Sequence, residues 1–451
     1  MPGSVRTLLA MTMAVTTATA QVRLPAVPLP ALPLQTLPQT LGQTESQSLS
    51  RLSELRHLEI ARLIRANPRV VDADPNGEPV VRHEILGLAP TDAVLDHARS
   101  LGFLVDREQT IGGMNIRVVV LRAPQTMTTK KALRTLRDAD PGGSYDYNHL
   151  FSGGGAVGGA SGSGTNGDRA PSPAGTPAAG TTLRDAPIAG AAAAAPDRAR
   201  VRIGLLDSGI DLAHPVFRES AVHAWGCDHP VPAAHGTAVA SLLIGRSEVF
   251  HGVHPDAELF AADVYCGRPT GGAVDTLVAA FGWMVQQRVA VINVSLVGPK
   301  NAMLERVVGD LSAAGYLIVA AVGNDGPAAP PLYPASYPHV IGVTAVDAHR
   351  HVLIEAARGP QVMFASPGAD LAAAGSDQAY AAVRGTSFAA PFVAALLASA
   401  LAAPNSADAA AAVDALSKTA VDLGPPGRDL TYGFGLVGAD YRIDPAPLIR
   451  R

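Results

Sequence analysis

Three short islands in this chain carry side chains able to do chemistry together. Asp207 lies in Ile203-Gly204-Leu205-Leu206-Asp207-Ser208-Gly209, His235 in His235-Gly236-Thr237-Ala238-Val239-Ala240, and Ser387 in Gly385-Thr386-Ser387-Phe388-Ala389-Ala390-Pro391. A carboxylate, an imidazole and a hydroxyl are the groups from which a base-assisted nucleophile is built. Asp207 ends an apolar run that reads as a strand, and open parallel sheets place ligands at the carboxyl ends of their strands. His235 opens a helix whose Val239, Leu242 and Leu243 are spaced to face inward. Ser387 follows small residues that let a substrate backbone approach, and it starts an Ala/Leu-rich helix reaching about Leu401. Amide N–H groups and the positive end of the helix dipole stand there, where an oxyanion would form. Pro391 is expected in the first turn of that helix, where its missing N–H costs little. Alone, each island has an ordinary structural explanation: a common Asp-Ser-Gly turn, a capping or surface His, a Ser N-cap. Their weight comes from their company.

Elements of a definite kind must position these groups. Beyond Val201, short Val/Ile/Leu runs alternate with amphipathic or Ala-rich helical stretches. Val201–Leu206 precedes a helix from His235, Leu259–Val264 precedes Thr276–Gln287, Val289–Val294 precedes Ala302–Ala314, and Leu317–Ala321 follows. Continuous apolar strands between helices predict a parallel sheet covered on both faces, so residues 199–445 are expected to form one doubly wound α/β domain. The segment Gly433, Gly435, Gly438 spells G-x-G-x-x-G, but no βαβ unit follows it and phosphate binding is not expected.

Taken together the islands resemble the subtilisin family (subtilases), whose chain order is Asp, His, Ser. A fourth match is Ala320-Ala321-Val322-Gly323-Asn324-Asp325-Gly326. Further agreement runs through Ile292-Asn293-Val294-Ser295-Leu296, Tyr333-Pro334-Ala335, Ala365-Ser366-Pro367-Gly368 and Gly433-Phe434-Gly435-Leu436. The resemblance covers residues 201–440. It implies a serine endopeptidase in which Ser387 attacks a peptide carbonyl, His235 relays the proton and Asp207 orients the imidazole. Asn324 and the Ser387 amide would hold the oxyanion. Ser295, Leu296, Val297 and Gly298, with Ala321, Gly323 and Thr386, would line the substrate cleft, where small residues leave room for a large apolar P1 side chain. Val297 stands where the family usually has Gly, which narrows the cleft, and Asp325 near the rim tolerates a basic group. The loop between Gly245 and Gly252 lacks the Asn-rich insertion that binds calcium in many subtilases, so no metal and no cofactor is expected. A binding protein that keeps the fold without catalysis is the alternative, disfavoured by four competent residue types at the catalytic positions.

The N-terminal third has its own organisation. Arg6, the apolar stretch Leu8–Val15 and Ala18-Thr19-Ala20 before Gln21 read as a secretory signal peptide over 1–20, which implies export to periplasm or medium, with no membrane span. Residues 21–43 are a Pro-rich linker. Within 44–151, a helix from about Gln47 to Ile64 precedes a β-α-β-β-α-β order, the pattern of a small ferredoxin-like α+β domain. It looks like a subtilase propeptide, which implies an intramolecular partner that chaperones folding and inhibits until cleaved near Leu150 or in the linker. A permanently attached accessory domain is the other possibility. Residues 152–198 are Gly, Ala, Ser, Thr and Pro with almost no large apolar side chain, and are expected to be a flexible linker.

Composition excludes other classes. The net charge of −4 and pI near 6.3 give no basic footprint for nucleic acid; the resemblance implies protein or peptide substrates as partners. The two cysteines, Cys227 and Cys266, fit one disulfide in an exported protein, with two free thiols as the alternative. His223, Cys227 and His229 cluster without a standard zinc spacing, so no zinc site is assigned.

Overall fold

Alternation in one strand sets the architecture of the N-terminal module. The computed structural model describes residues 54, 56–112, 114, 116–153, 156–157 and 200–449. The expected signal peptide, the Pro-rich linker and most of the expected flexible linker lie outside these residues. Residues 56–66 form α1, and the side-chain amide of Asn67 donates to the Leu63 carbonyl at its end. There follow β1 (Val71–Ala73), β2 (Pro79–Leu88), α2 (Asp92–Ser100), β3 (Leu104–Ile111), β4 (Ile116–Arg122), α3 (Thr129–Ala139) and β5 (Ser144–Gly153). Their antiparallel order β5-β2-β4-β3 is that of a ferredoxin-like sheet. Every residue from Val118 to Leu121 is buried, because both sheet faces are covered. Val119 and Leu121 meet Leu95, Leu133 and Leu136 of α2 and α3, while Val118 and Val120 join a core outside the module.

After β6 (Ala156–Val157), which belongs to a small separate sheet, the second large sheet begins with β7 (Arg202–Asp207), one of its inner strands. β8 (Ala221–Trp225), α4 (Ala234–Ile244), β9 (Glu258–Asp263), β10 (Gly272–Ala273), α5 (Val274–Gln286), β11 (Val291–Val294) and β12 (Leu296–Val297) follow. Then come α6 (Ala302–Ala313), β13 (Leu317–Ala321), β14 (Ile341–Val346), β15 (Val362–Pro367), β16 (Leu371–Ala374), β17 (Tyr380–Arg384), α7 (Thr386–Ala400), α8 (Ser406–Thr419) and α9 (Ala446–Ile449). Seven strands pair in the order β15-β14-β13-β11-β7-β9-β8, every neighbour parallel. Residues of α4 and α7 fill the core on one face, and residues of α5 and α6 the core on the other. The doubly wound sheet expected from the alternating runs is therefore present, and its inner strands β7, β11, β13 and β14 are buried almost throughout because helices cover both faces, while the edge strand β8 is half-exposed. The outer sides of α5 and α6 receive the module's sheet, with Leu86, Val118 and Val120 in their core.

Two expectations are corrected. Pro391 lies in the second turn of α7, which begins at Thr386, and its missing N–H would have bonded the Ser387 carbonyl. That carbonyl instead accepts the Ser295 hydroxyl at 2.8 Å. The expected linker from 152 is also not linker at its start: β5 continues through Ser152 and Gly153, and β6 occupies 156–157. Backbone pairing needs no side chain, so Gly and Ser make a strand where a partner strand offers its edge. Cys227 and Cys266 are joined by a disulfide, and Cys227 is thereby unavailable to zinc.

Candidate active site

Asp207 is the last residue of the inner strand β7 and is 1% exposed. Ser208 secures it: the Ser208 amide and hydroxyl both donate to Asp207 Oδ1, at 2.7 and 3.1 Å. The same hydroxyl accepts the Gly236 amide at 3.0 Å, which ties the strand end to the first turn of α4. His235, second residue of α4, points its Nδ1–H at Asp207 Oδ1 and Oδ2, at 2.8 and 3.1 Å. Burial opposes the charged imidazolium, but the Asp207 carboxylate outweighs it by attraction and by hydrogen bonding, so the His235 pKa lies above its usual 6.5. The opposite ring nitrogen, Nε2, is buried with no hydrogen-bond partner among the described residues.

Ser387 is the second residue of α7 and fully buried. Its helix start follows Gly385, whose φ of +138° is a backbone state that suits glycine. The Ser387 hydroxyl donates to the Ser295 carbonyl at 3.3 Å, and the Phe388 ring lies 5.3 Å from the His235 ring. Asn324 follows β13, and its side-chain carbonyl accepts the Thr386 amide at 3.0 Å. This leaves its Nδ2 buried and without a partner among the described residues, an unused donor at the start of α7. Thr386 in turn accepts the Gly323 amide on its hydroxyl at 3.2 Å, so the Asn324 segment and the Ser387 segment are laced together.

A segment of the chain itself lies along the residues expected to line the cleft. In β5, Leu150 and Phe151 pair antiparallel with Ala273 and Gly272 of β10, and Ser152 and Gly153 pair with Val297 and Leu296 of β12. Beyond it, Ala156 and Val157 of β6 pair with Arg384 and Val383 of β17, the strand just before Ser387. Gly153 packs on the His235 ring: a Cβ there would meet ring atoms at 3.3–3.4 Å. Phe151 is fully buried against Gly298, where a Cβ would stand 2.7 Å from the phenyl ring. Of the expected cleft residues, Leu296, Val297 and Gly298 thus meet this segment. Ser295, Gly323 and Thr386 brace Ser387 and Asn324, and Ala321 is buried at the end of β13. Val297 is paired in register with Ser152.

Sequence reasoning missed the braces. Ser208 was read as part of a turn, and Asn293, whose Nδ2 donates to the Ser295 hydroxyl at 2.9 Å, carried no signal beyond its motif. Nor did Asp146 and Asn148, two residues apart on β5. Asp146 accepts the Ala302 amide at the start of α6 at 2.7 Å, and Asn148 accepts the Asp275 amide of α5 at 3.2 Å. The N-cap position of α5 is Ala273, which has no side chain to do this itself. Asn148 also donates to Asp275 and Glu84, and Arg107 donates to both carboxylates, a network spanning module and sheet domain. Burial opposes the Arg107 charge, but Asp275, Glu84 and Asp106 hold its pKa above the ordinary arginine value.

Comparison with known proteins bears on the family and the fold. A profile described as the subtilase family matches residues 198–435. Minor extracellular protease Epr of Bacillus subtilis is 28% identical over 242 residues, 52% of this chain but 37% of that protein. Subtilisin DY of Bacillus licheniformis is 30% identical over 251 residues, 54% of this chain and 90% of that protein. Fervidolysin from Fervidobacterium pennivorans, a keratinolytic enzyme related to subtilisin, has a similar fold, with a TM-score of 0.62 at 20% identity over 82% of this chain and 62% of that one. With the match spanning more than half its length, over the residues that include Asp207, His235 and Ser387, this chain belongs to the subtilase family of serine endopeptidases.

Proposed function

We propose that this protein is an exported serine endopeptidase, made as a precursor that cuts itself, with Asp207, His235 and Ser387 as the triad and Asn324 as the side-chain oxyanion donor. The observation that carries the reading is the antiparallel pairing of β5 with β10 and β12, and of β6 with β17, with Gly153 against His235. A peptide substrate bound for hydrolysis presents its backbone in this way on both sides of the bond to be cut. Ser387 Oγ attacks the carbonyl carbon and gives its proton to His235 Nε2. The oxyanion takes the Asn324 Nδ2–H and the Ser387 amide, the C–N bond breaks, and the amine leaves with the proton from His235. Water, deprotonated by the same nitrogen, then releases the acyl group and restores the hydroxyl.

The self-cleaved bond falls between Gly153 and Ala156, rather than near Leu150, because the flanking pairs close on Ser387 from either side. Every bond in that interval follows a glycine. Side-chain selection therefore rests on the site filled by Phe151, and preferred substrates carry a large apolar residue there with small residues before the cut. Asp146 and Asn148 support a chaperone role for residues 71–153, since they complete the starts of α6 and α5.

The test is direct. Wild-type chain is expected to yield a new N-terminus between residues 154 and 156 and to label with a fluorophosphonate. Ser387→Ala is expected to remain full length, unlabelled and slower by about a million-fold in kcat. An intact wild-type chain that never labels would instead identify a non-catalytic binding protein.

A further inference from the structure

Helix α1 stands outside the sheet order β5-β2-β4-β3 yet touches both the module and the catalytic unit. Near its start, Arg56 is held between two carboxylates. Its Nη2 donates to Glu78 Oε2 at 2.6 Å, in the turn between β1 and β2, and its Nη1 donates to Asp325 Oδ2 at 3.0 Å. Asp325 is the residue after Asn324. The three side chains are 16%, 20% and 19% exposed, so water and salt screen this arrangement less than an open surface pair. Near the other end, Ile64 packs on the cluster of Val71, Leu150 and Ala273. Leu150 and Ala273 are register partners in the β5–β10 ladder. Eight residues at 1.5 Å each put the two anchor points about 12 Å apart along the helix. The helix therefore spans from the ladder that holds the tail to the residue beside the oxyanion donor.

We propose that α1 is a strap, and that Asp325 and Ala273 mark a docking surface on the catalytic unit for a short helix carrying a basic and an apolar residue two turns apart. Its occupant is residues 56–66 of this chain. Seated there, α1 holds residues 150–153 in the cleft independently of the β-α-β-β-α-β fold, a role that rests on reading β5 as the cleft-bound inhibitor. Charge placement makes the device specific. Without Arg56, the Glu78 and Asp325 carboxylates face each other unneutralised, so the contact turns from attractive to repulsive.

The experiment uses the full chain carrying Ser387→Ala, so that no cleavage intervenes, and follows amide hydrogen exchange in peptides covering 150–153, β2 and β4. Arg56→Gln is expected to raise exchange of the 150–153 amides about tenfold, the loss of a partly buried charge contact, while β2 and β4 stay as in the parent. Adding Glu78→Gln removes the repulsion and is expected to return part of the protection. Should Arg56→Gln disturb the whole module, Arg56→Lys, which keeps the charge, serves in its place and is expected to loosen 150–153 alone. Unchanged exchange at 150–153 in Arg56→Gln overturns the strap, as does loosening that always includes β2 and β4. Failure of the wild-type chain to cut itself would sink the processing reading while leaving the exchange result to judge the strap.

Discussion

At the scale of single residues, the site is defined by which donors and acceptors are spent and which are free. Asp207 is spent on Ser208 and His235, while Asn324 spends its carbonyl on Thr386 and keeps its amide. The pH dependence follows with a definite sign. His235 accepts a proton only when neutral, and Asp207 holds its pKa above 6.5. The acid limb of kcat/KM is therefore expected to have its midpoint above 6.5 and to fall about tenfold per pH unit below it. Asp207→Asn removes the attraction, so the residual activity, lower by about 10⁴-fold, should show a limb at lower pH than wild type. A limb left in place would mean that Asp207 does not set this pKa. For Asn324→Ala, kcat is expected to drop about 10²–10³-fold with KM little changed, because the freed donor meets charge only in the transition state. A change confined to KM would remove Asn324 from the oxyanion role.

At the scale of elements, α7 is the instructive case. A proline in its second turn orphans the Ser387 carbonyl, and Ser295 at the edge of the cleft answers it, itself held by Asn293. The helix that carries Ser387 is thus fastened to Ser295 by its own irregularity. In a Ser387→Ala background that prevents self-digestion, Ser295→Ala is expected to destabilise by about 1–3 kcal/mol, since two buried polar groups lose their partner. In chains that also carry Pro391→Ala, the restored N–H satisfies the carbonyl, and the Ser295→Ala penalty should shrink by about 1 kcal/mol. Denaturant midpoints of the four chains decide this, and simple additivity would contradict it.

At the scale of the whole molecule, one covalent tie and one docked module hold the cleft's surroundings. The Cys227–Cys266 bridge links the segment leading to His235 with the segment leading to β10, across 39 residues of chain. Closing a loop of that length stabilises by about 3–4 kcal/mol on the chain-entropy account. Replacing both cysteines by Ser is expected to lower Tm by roughly 10 °C, at about 2–4 °C per kcal/mol for a domain of this size. A Tm insensitive to the double replacement would show that the unfolded chain is already constrained there.

What was legible in the sequence is what depends on local order along the chain. Apolar runs alternating with helical stretches were enough for a parallel sheet buried on both faces, because the period of burial is written into each strand. Asp207, His235, Ser387 and Asn324 were identifiable because each sits in a short motif at a strand or helix end, where side chains and amides converge whatever the intervening loops do. Only the tertiary structure decided the rest. Gly153 became strand and a neighbour of His235 because β12 lay alongside it, and no composition rule sees a partner strand more than 140 residues away. Asp146, Asn148 and Arg56 found their partners on the catalytic unit for the same reason: a polar side chain's role depends on which unsatisfied group lies opposite it, and folding alone chooses that group.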